Sequence, residues 1–268
     1  MNTIRPTIRP SAVAGLFYPA RATELETLLS QQFASLPHAS HHFPRALIVP
    51  HAGYSYAGKV FAKAYQLLQH FKEQIQRVIV LGPSHRVPFK GIAISAADYF
   101  ATPLGSVAVD KAAIARLSAL EGVRFFESAH ETEHSIEVQL PFLQYVLDQF
   151  EIVPIITGDA NTSAVSQAIQ TAMQDDADDT LIVVSSDLSH YLDYESARRI
   201  DQFTSQAIIS LDENDIDAYH ACGYVGIRGF IDYARQQHLT GKVLSLCNSG
   251  DTAGKKDSVV GYGAYVFE

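Results

Sequence analysis

The sequence predicts one α/β domain over residues 1–268, in which helices cover both faces of a mixed, mostly parallel central sheet. Short apolar segments alternate with longer segments of helical periodicity along the chain. The segments Arg45–Pro50, Arg77–Gly82 and Thr180–Ser185 are apolar almost throughout, as expected for parallel strands that are buried on both faces. No internal repeat and no Pro/Gly/Ser-rich linker interrupts the 268 residues, so a single core is expected.

Strands and helices are predicted to alternate along most of the chain, which favours a largely parallel or mixed sheet. The predicted strands are Arg45–Pro50, Arg77–Gly82, Gly91–Ser95, Glu151–Ile156, Thr180–Ser185, Lys242–Leu246 and Ser258–Phe267. Helices are predicted where apolar residues recur with a helical period, and Pro141 is expected to start, kink or end part of one of them. The predicted helices are Ala22–Phe33, Gly58–Phe71, His134–Gln149, Ser163–Gln174, Tyr194–Leu211, Asp215–Cys222 and Gly226–His238.

The composition argues against several classes of protein. The net charge is −9 with neutral histidines, and no stretch is strongly basic, so nucleic-acid partners are not expected. No apolar segment approaches the about 18 residues that indicate a membrane-spanning helix. Met1–Pro10 is not followed by the apolar region of a secretory signal, and Cys222 and Cys247 are too few for a disulfide framework. A cytoplasmic location with free thiols is therefore expected.

Three predicted strands lead directly into loops that contain a histidine. His51 follows the first strand and His85 the second, while Asp187 and His190 lie in the loop after Thr180–Ser185. Ligand sites in open α/β sheets lie beyond the carboxyl ends of the strands, so these side chains are expected at one edge. A single histidine in such a loop is more often a hydrogen-bonded loop residue. Three at one edge predict a polar pocket that holds a metal ion.

Other polar side chains are expected near this pocket. His134 opens a predicted helix and places Glu137 one turn away on the same face. Cys222 lies at the end of one predicted helix and just before another, where three interpretations stay open: a metal ligand, a nucleophile or a buried apolar group. Phosphate binding is not indicated, because the chain has neither the dinucleotide-binding glycine fingerprint nor a P-loop.

Taken in chain order, these motifs resemble those of the Memo family, whose bacterial and archaeal branch is called AmmeMemoRadiSam system protein B. The resemblance covers essentially the whole chain, and the several motifs together are far more specific than any one alone. The matching motifs are Ala14-Gly15-Leu16-Phe17-Tyr18-Pro19, Pro50-His51-Ala52-Gly53-Tyr54, Gly82-Pro83-Ser84-His85, Glu133-His134-Ser135-Ile136-Glu137, Ser185-Ser186-Asp187 with His190, Cys222-Gly223, and Gly261-Tyr262-Gly263-Ala264.

The resemblance implies a fold similar to that of the class III extradiol dioxygenases, which are non-haem iron enzymes. It implies a metal site formed by His51, His85 and Cys222, where such dioxygenases use two histidines and a glutamate. Iron or copper is the expected metal, with zinc as an alternative, and the thiolate makes the site softer than one with a carboxylate. His190 is then the expected acid/base group, and Asp187 is expected to orient His190 or to bind a ligand. The remaining pocket residues expected on this basis are His134, Glu137, Tyr54 and Ser186.

The leading hypothesis is therefore a metal-dependent redox protein of unknown substrate. One departure limits the comparison: eukaryotic members have a basic, imidazole-containing stretch after the Cys-Gly pair, whereas this chain continues with Tyr224–Arg228. Ligand preference is therefore not transferred across the family. Two alternatives stay open, namely a non-catalytic protein that binds a peptide or small anion, and a metal-free hydrolase or transferase with Ser186 or Cys222 as nucleophile and His190 as base. Family naming further implies a radical-SAM protein and an AMMECR-type protein as partners.

Overall fold

A computed structural model describes residues 5–34, 36, 42–173 and 178–268, and within these residues the chain forms a 12-stranded mixed sheet. The strands are β1 (Ile8–Arg9), β2 (Ala46–Val49), β3 (Arg77–Pro83), β4 (Ile92–Ile94), β5 (Tyr99–Thr102), β6 (Gly105–Val109), β7 (Val123–Phe125), β8 (Glu151–Thr157), β9 (Thr180–Ser185), β10 (His190–Leu192), β11 (Gly241–Asn248) and β12 (Val259–Phe267). The α-helices are α1 (Ala22–Phe33), α2 (Tyr54–Tyr65), α3 (Lys111–Leu117), α4 (Ser128–Glu131), α5 (Leu140–Val146), α6 (Thr162–Met173), α7 (Tyr194–Ile209) and α8 (Tyr224–Gln236). Short 3-10 helices cover Gln66–Phe71, Glu137–Gln139, Glu213–Asp215 and Ser249–Asp251.

The centre of the sheet consists of β8, β3, β9 and β2, which lie side by side in that order and are all parallel. Every residue of β2 and β9 is buried, which explains why these segments are apolar without alternation. The C-terminal strand β12 pairs antiparallel with β2, so the sheet is mixed. The α/β class and the mostly parallel sheet predicted from the sequence are confirmed.

Helices cover both faces of this sheet. Successive side chains of a strand point to opposite faces, and β9 shows this at its last two residues. Val184 faces α8, where a Cβ atom at Gly226 would make an ordinary contact of 3.7 Å with Val184 Cγ1. Ser185 points to the other face and contacts Gln139, which immediately precedes α5. Within the residues described, no helix is long and apolar enough to cross a membrane.

Most predicted elements agree with the structure to within one to three residues, and α1 and β9 agree at both ends. The predicted helix Gly58–Phe71 in fact begins at Tyr54 and continues as a 3-10 helix after Tyr65. Gly58 therefore lies inside α2, at a point where α2 packs closely against α1. A Cβ atom at Gly58 would lie 3.0 Å from Cδ of Gln32 in α1. The hairpin of β5 and β6 and the short helix α3 were not predicted from the sequence. Asp110 caps the first turn of α3.

Two predicted helices around the candidate site are wrong in ways that matter for function. The segment Asp215–Cys222 is not an α-helix: a 3-10 helix ends at Asp215 and turns follow, held by hydrogen bonds to the Asp217 side chain and carbonyl. The segment His134–Gln149 begins with a turn, and α-helix starts only at Leu140, with Pro141 in its first turn. His134 and Glu137 therefore do not share a helical face.

Candidate metal centre

The candidate site lies at the carboxyl ends of β2, β9 and β3, which are neighbours in the sheet. His51 follows β2 after one proline, His85 follows β3 after one serine, and Asp187 lies two residues beyond β9. The rings of His51 and His85 are 4.9 Å apart between centroids and nearly perpendicular. The structure therefore brings together the two histidines that the sequence placed at one edge of the sheet.

Cys222 completes a group of three possible ligands. It lies in the turn just before α8, and its Sγ atom is 3.1 Å from Nε2 of His51. One side-chain donor atom from each of His51, His85 and Cys222 falls within 4.8 Å of the other two. Gly223 makes this possible because a Cβ atom there would lie 2.7 Å from the Cβ of Ser186, which is tighter than packing allows. The Cys-Gly pair thus reflects the close approach of the turn to the end of β9.

Buried hydrogen bonds fix the orientation of the His51 ring. Its Nδ1 atom is 3.0 Å from Oγ of Ser185, which also accepts a hydrogen bond from Nε2 of Gln139. The Ser185 hydroxyl donates its own hydrogen to the carbonyl of Ser135, at 2.5 Å. Because that hydrogen is used, Ser185 accepts from an Nδ1–H group of His51. The Nε2 lone pair of His51 therefore points toward Cys222.

The His85 ring is held by a buried carboxylate, that of Glu133. Oε1 of Glu133 is 2.9 Å from Nδ1 of His85, and Oε2 accepts the backbone amide of His85 at 2.6 Å. Oε1 also accepts the backbone amides of His134 and Ser135, each at 2.9 Å. Burial alone would raise the pKa of Glu133, but the hydrogen bonds from His134 and His85 hold it well below its usual range.

His134 lines the same pocket. Its ring is 4.6 Å from the ring of His85 and 5.2 Å from that of His51, and its Nδ1 atom lies 3.1 Å from Glu133. The ring of Phe17, in the N-terminal segment, packs against His134 at 4.7 Å. His134 was expected here from the sequence, whereas Phe17 had no predicted role.

Glu137 and Tyr54, which were expected in the pocket, make internal contacts. The Glu137 carboxylate forms an ion pair with Arg9 and accepts hydrogen bonds from the Tyr18 hydroxyl and from two backbone amides of the N-terminal segment. The hydroxyl of Tyr54 donates to the carbonyl of Val138 at 2.6 Å. Because the chain turns between His134 and Glu137 instead of forming a helix, Glu137 faces the N-terminal segment.

Asp187 and His190 are both near the pocket, but with a different division of roles than expected. Oδ1 of Asp187 accepts a hydrogen bond from the backbone amide of His51 at 2.8 Å. The backbone carbonyl of Asp187 accepts one from the backbone amide of Cys222 at 3.3 Å. Burial raises the pKa of the Asp187 carboxyl. The carbonyl of Leu188, 2.8 Å from Nδ1 of His190, orients that ring. Asp187 thus joins the segments that carry two of the candidate ligands, and Leu188 orients His190.

Ser186 is committed to backbone contacts. Its hydroxyl donates to the carbonyl of Asp187 and accepts the amide of Gly223, both at 2.8 Å. Its oxygen is 3.8 Å from Sγ of Cys222. These contacts position the Cys222 turn and leave the hydroxyl hydrogen directed at a carbonyl, so nothing in this geometry favours Ser186 as a nucleophile.

Asp201 of α7 forms a hydrogen bond with the segment that precedes His190. Its ionisation should make the stability of the protein depend on pH. Oδ1 of Asp201 accepts the backbone amide of Ser189 at 3.0 Å, and burial raises the pKa of Asp201 from 3.8 to about 6. The folded state therefore binds this proton more tightly than the unfolded state does. The contribution to stability is full below about pH 4 and is lost as the pH rises to about 6.

We expect the Asp201→Asn substitution to remove this loss, since an asparagine oxygen still accepts the Ser189 amide. The free energy of unfolding should rise by an amount on the order of 1–3 kcal/mol at about pH 8 and change little at about pH 4. Urea denaturation of both proteins at the two pH values measures the difference. An equal effect at both pH values would contradict the assigned ionisation.

The donor set fits a redox-active or Lewis-acidic metal ion. Two imidazole Nε2 atoms and one sulfur suit iron(II), copper or zinc, and three protein ligands leave coordination positions open. Both histidine rings are oriented through Nδ1, as is usual for metal-binding histidines. In the metal-free protein, burial raises the pKa of the Cys222 thiol to about 12. A metal ion would therefore displace the thiol proton on binding.

Comparison with solved structures shows a shared fold. The uncharacterized protein JW3007 from Escherichia coli K12 superposes with a TM-score of 0.52 at 12% sequence identity, over 84% of this chain and 100% of that one. Similarity at this level concerns the fold alone. The α/β fold expected from the sequence is shared with this structure.

Sequence comparison is more specific. The family model described as Memo-like protein matches residues 9–266. A MEMO1 family protein of Ignicoccus hospitalis is 35% identical over 284 residues, which cover 97% of this chain and 98% of the relative. The MEMO1 family protein of Archaeoglobus fulgidus is 34% identical over 97% of this chain and 99% of the relative. That of Sulfolobus acidocaldarius is 37% identical over 95% of this chain and 97% of the relative. The chain belongs to the Memo family.

Proposed function

We propose that this protein is a metal-dependent redox protein that binds iron or copper through His51, His85 and Cys222. The observation that carries the proposal is the convergence of their donor atoms within 4.8 Å at the carboxyl ends of parallel strands. A bound iron or copper ion would supply one-electron chemistry and open positions for a small molecule. Zinc fits the same donors but would supply only Lewis-acid chemistry.

The surrounding residues have separate tasks in this proposal. His190 donates Nδ1–H to Leu188, so its Nε2 atom is available to take up or release a proton. Asp187 holds the His51 and Cys222 segments together through their backbone amides. His134, packed against Phe17, forms a wall of the pocket. The family-implied partnership with a radical-SAM protein and an AMMECR-type protein stays a prediction.

A second candidate function is non-catalytic binding of a peptide or small anion in the same pocket. The observation in its favour is exposed apolar surface beside the pocket residues: Leu16, next to Phe17, is 81% exposed, and Tyr191, next to His190, is 78% exposed. Binding of a peptide to the metal-stripped protein with unchanged affinity, together with no turnover, would favour this function over the first.

Metal content tests the leading proposal. Wild type and the variant His51→Ala/His85→Ala/Cys222→Ala are purified anaerobically without an affinity tag and measured by elemental mass spectrometry. We expect near-stoichiometric iron or copper in the wild type and none in the variant. The matched control His42→Ala/His70→Ala/Cys247→Ala removes the same residue types away from the pocket and should retain the metal. Equal metal in wild type and the pocket variant would contradict the proposal.

A further inference from the structure

We infer that Glu133 is a positioning residue that holds His85 in its Nδ1–H tautomer and directs the Nε2 lone pair of His85 toward His51 and Cys222. The inference deepens the proposed function and rests on it for the identity of the metal ligands. Glu133 belongs to one of the motifs that match the family, but neither that motif nor the resemblance assigned it a role.

The tautomer follows from the chemistry of the contacts. An ionised carboxylate only accepts hydrogen bonds, so an imidazole nitrogen 2.9 Å from Oε1 of Glu133 must carry the hydrogen. The same carboxylate accepts the backbone amide of His85 through Oε2. Glu133 therefore forms hydrogen bonds with both the main chain and the ring of His85. With Nδ1 protonated in the neutral ring, Nε2 carries the lone pair that a metal ion requires.

The carboxylate is itself rigidly held. Its side chain is 1% exposed, and the amides of His134 and Ser135 fix Oε1 from the other side. Arg9 donates hydrogen bonds to the carbonyls of His130 and Glu133, which anchors the backbone of the segment. A carboxylate held at this many points can define the direction of the ring it binds.

Glu133 is better placed to orient His85 than to bind a metal ion itself. One donor atom from each of His85, Glu133 and His134 lies within 4.8 Å of the others, so the three side chains are close enough to be considered as a second site. However, Oε1 already accepts the amides of His134 and Ser135 and contacts Nδ1 of His85, and Oε2 accepts the His85 amide. A cation bound through Oε1 would have to displace one of these N–H groups, whereas the orienting role uses all of them.

The tautomer is measured directly in the unmodified, metal-free protein. A long-range ¹H–¹⁵N correlation spectrum of histidine-labelled protein distinguishes Nδ1–H from Nε2–H imidazole, and the His85→Ala variant assigns the His85 signals. We expect the neutral His85 ring to be entirely Nδ1–H. A predominantly Nε2–H ring would overturn the inference, and this measurement does not depend on metal binding or on the folding of a Glu133 variant.

The Glu133→Gln variant tests the consequence for the site. A glutamine amide must place its NH₂ group against one of the N–H donors that the carboxylate now accepts, which weakens the hold on His85. We expect a mixture of His85 tautomers and a 10–100-fold loss of affinity for iron(II) or copper(I), titrated anaerobically. The matched control is Glu131→Gln, an exposed glutamate two residues away, which should change neither.

The outcomes separate this inference from the proposed function. If the wild type shows the Nδ1–H tautomer and binds neither metal, the proposed function fails, and so does the metal-directing part of this inference. If the wild type binds metal and Glu133→Gln binds it equally well with an unchanged His85 tautomer, the role of Glu133 is wrong and the proposed function stands. A change of tautomer together with weaker metal binding, at an unchanged far-ultraviolet circular dichroism spectrum, supports both.

Discussion

Replacement of Glu137 by alanine is expected to lower the free energy of unfolding by about 3–5 kcal/mol. The substitution leaves the Arg9 guanidinium, whose side chain is 4% exposed, without its carboxylate partner. It also removes the acceptor of the Tyr18 hydroxyl and of two backbone amides. Removing one partner of a buried, hydrogen-bonded ion pair costs far more stability than the pair as a whole contributes, because the remaining charge stays buried without a partner.

Urea denaturation measures this effect, with Asp148→Ala as the control. Asp148 pairs with Lys72 at the surface, where both side chains are about half exposed, and its loss should cost less than about 1 kcal/mol. If the Glu137 and Asp148 variants unfolded at the same urea concentration, Glu137 would not hold the N-terminal segment as described. Because that segment carries Phe17, the Glu137 variant should also loosen the packing on His134.

Replacement of Cys222 by serine is expected to weaken copper(I) binding strongly. Loss of a residue that only orients a metal ligand lowers metal affinity by about 10–100-fold, and loss of the ligand itself should lower it by more. The substitution removes the soft thiolate and keeps a side chain of similar shape in the turn before α8. Competition with a chromophoric chelator under anaerobic conditions measures the change. Cys247→Ser is the matched control, since Cys247 lies on β11, outside the candidate ligand group, and should leave the affinity unaltered.

Much of the fold was predictable because parallel strands that are buried on both faces leave a strong sequence pattern. The segments that became β2, β3 and β9 are continuously apolar, and each is followed within a few residues by a polar side chain. Since the carboxyl ends of parallel neighbours share one edge, the proximity of His51 and His85 followed from their positions after the strands. The same argument placed Asp187 beside them.

The residues that orient the ligands were not predictable in the same way. Ser185 and Gln139 meet His51 from separate elements, and nothing in their local sequence marks that contact. The segment from Glu133 to Glu137 contains two carboxylates, and a helical reading assigned the second one to the pocket. The chain turns there instead, so Glu133 reaches His85 while Glu137 reaches the N-terminal segment.

Three imidazoles around the candidate site share one arrangement. His51, His85 and His190 have Nδ1 next to Ser185, Glu133 and the Leu188 carbonyl respectively. Each ring is thus directed by a neighbouring oxygen atom before any metal ion is bound. Such pre-orientation reduces the conformational cost of binding, because the donor atoms need little rearrangement.

X-ray absorption spectroscopy of the metal-loaded wild-type protein tests the central claim most directly. We expect one sulfur neighbour and imidazole nitrogen neighbours around the metal, with the sulfur contribution lost in Cys222→Ser. A coordination shell of nitrogen and oxygen only in the wild type, or one that the Cys222 substitution does not change, would contradict a site formed by His51, His85 and Cys222.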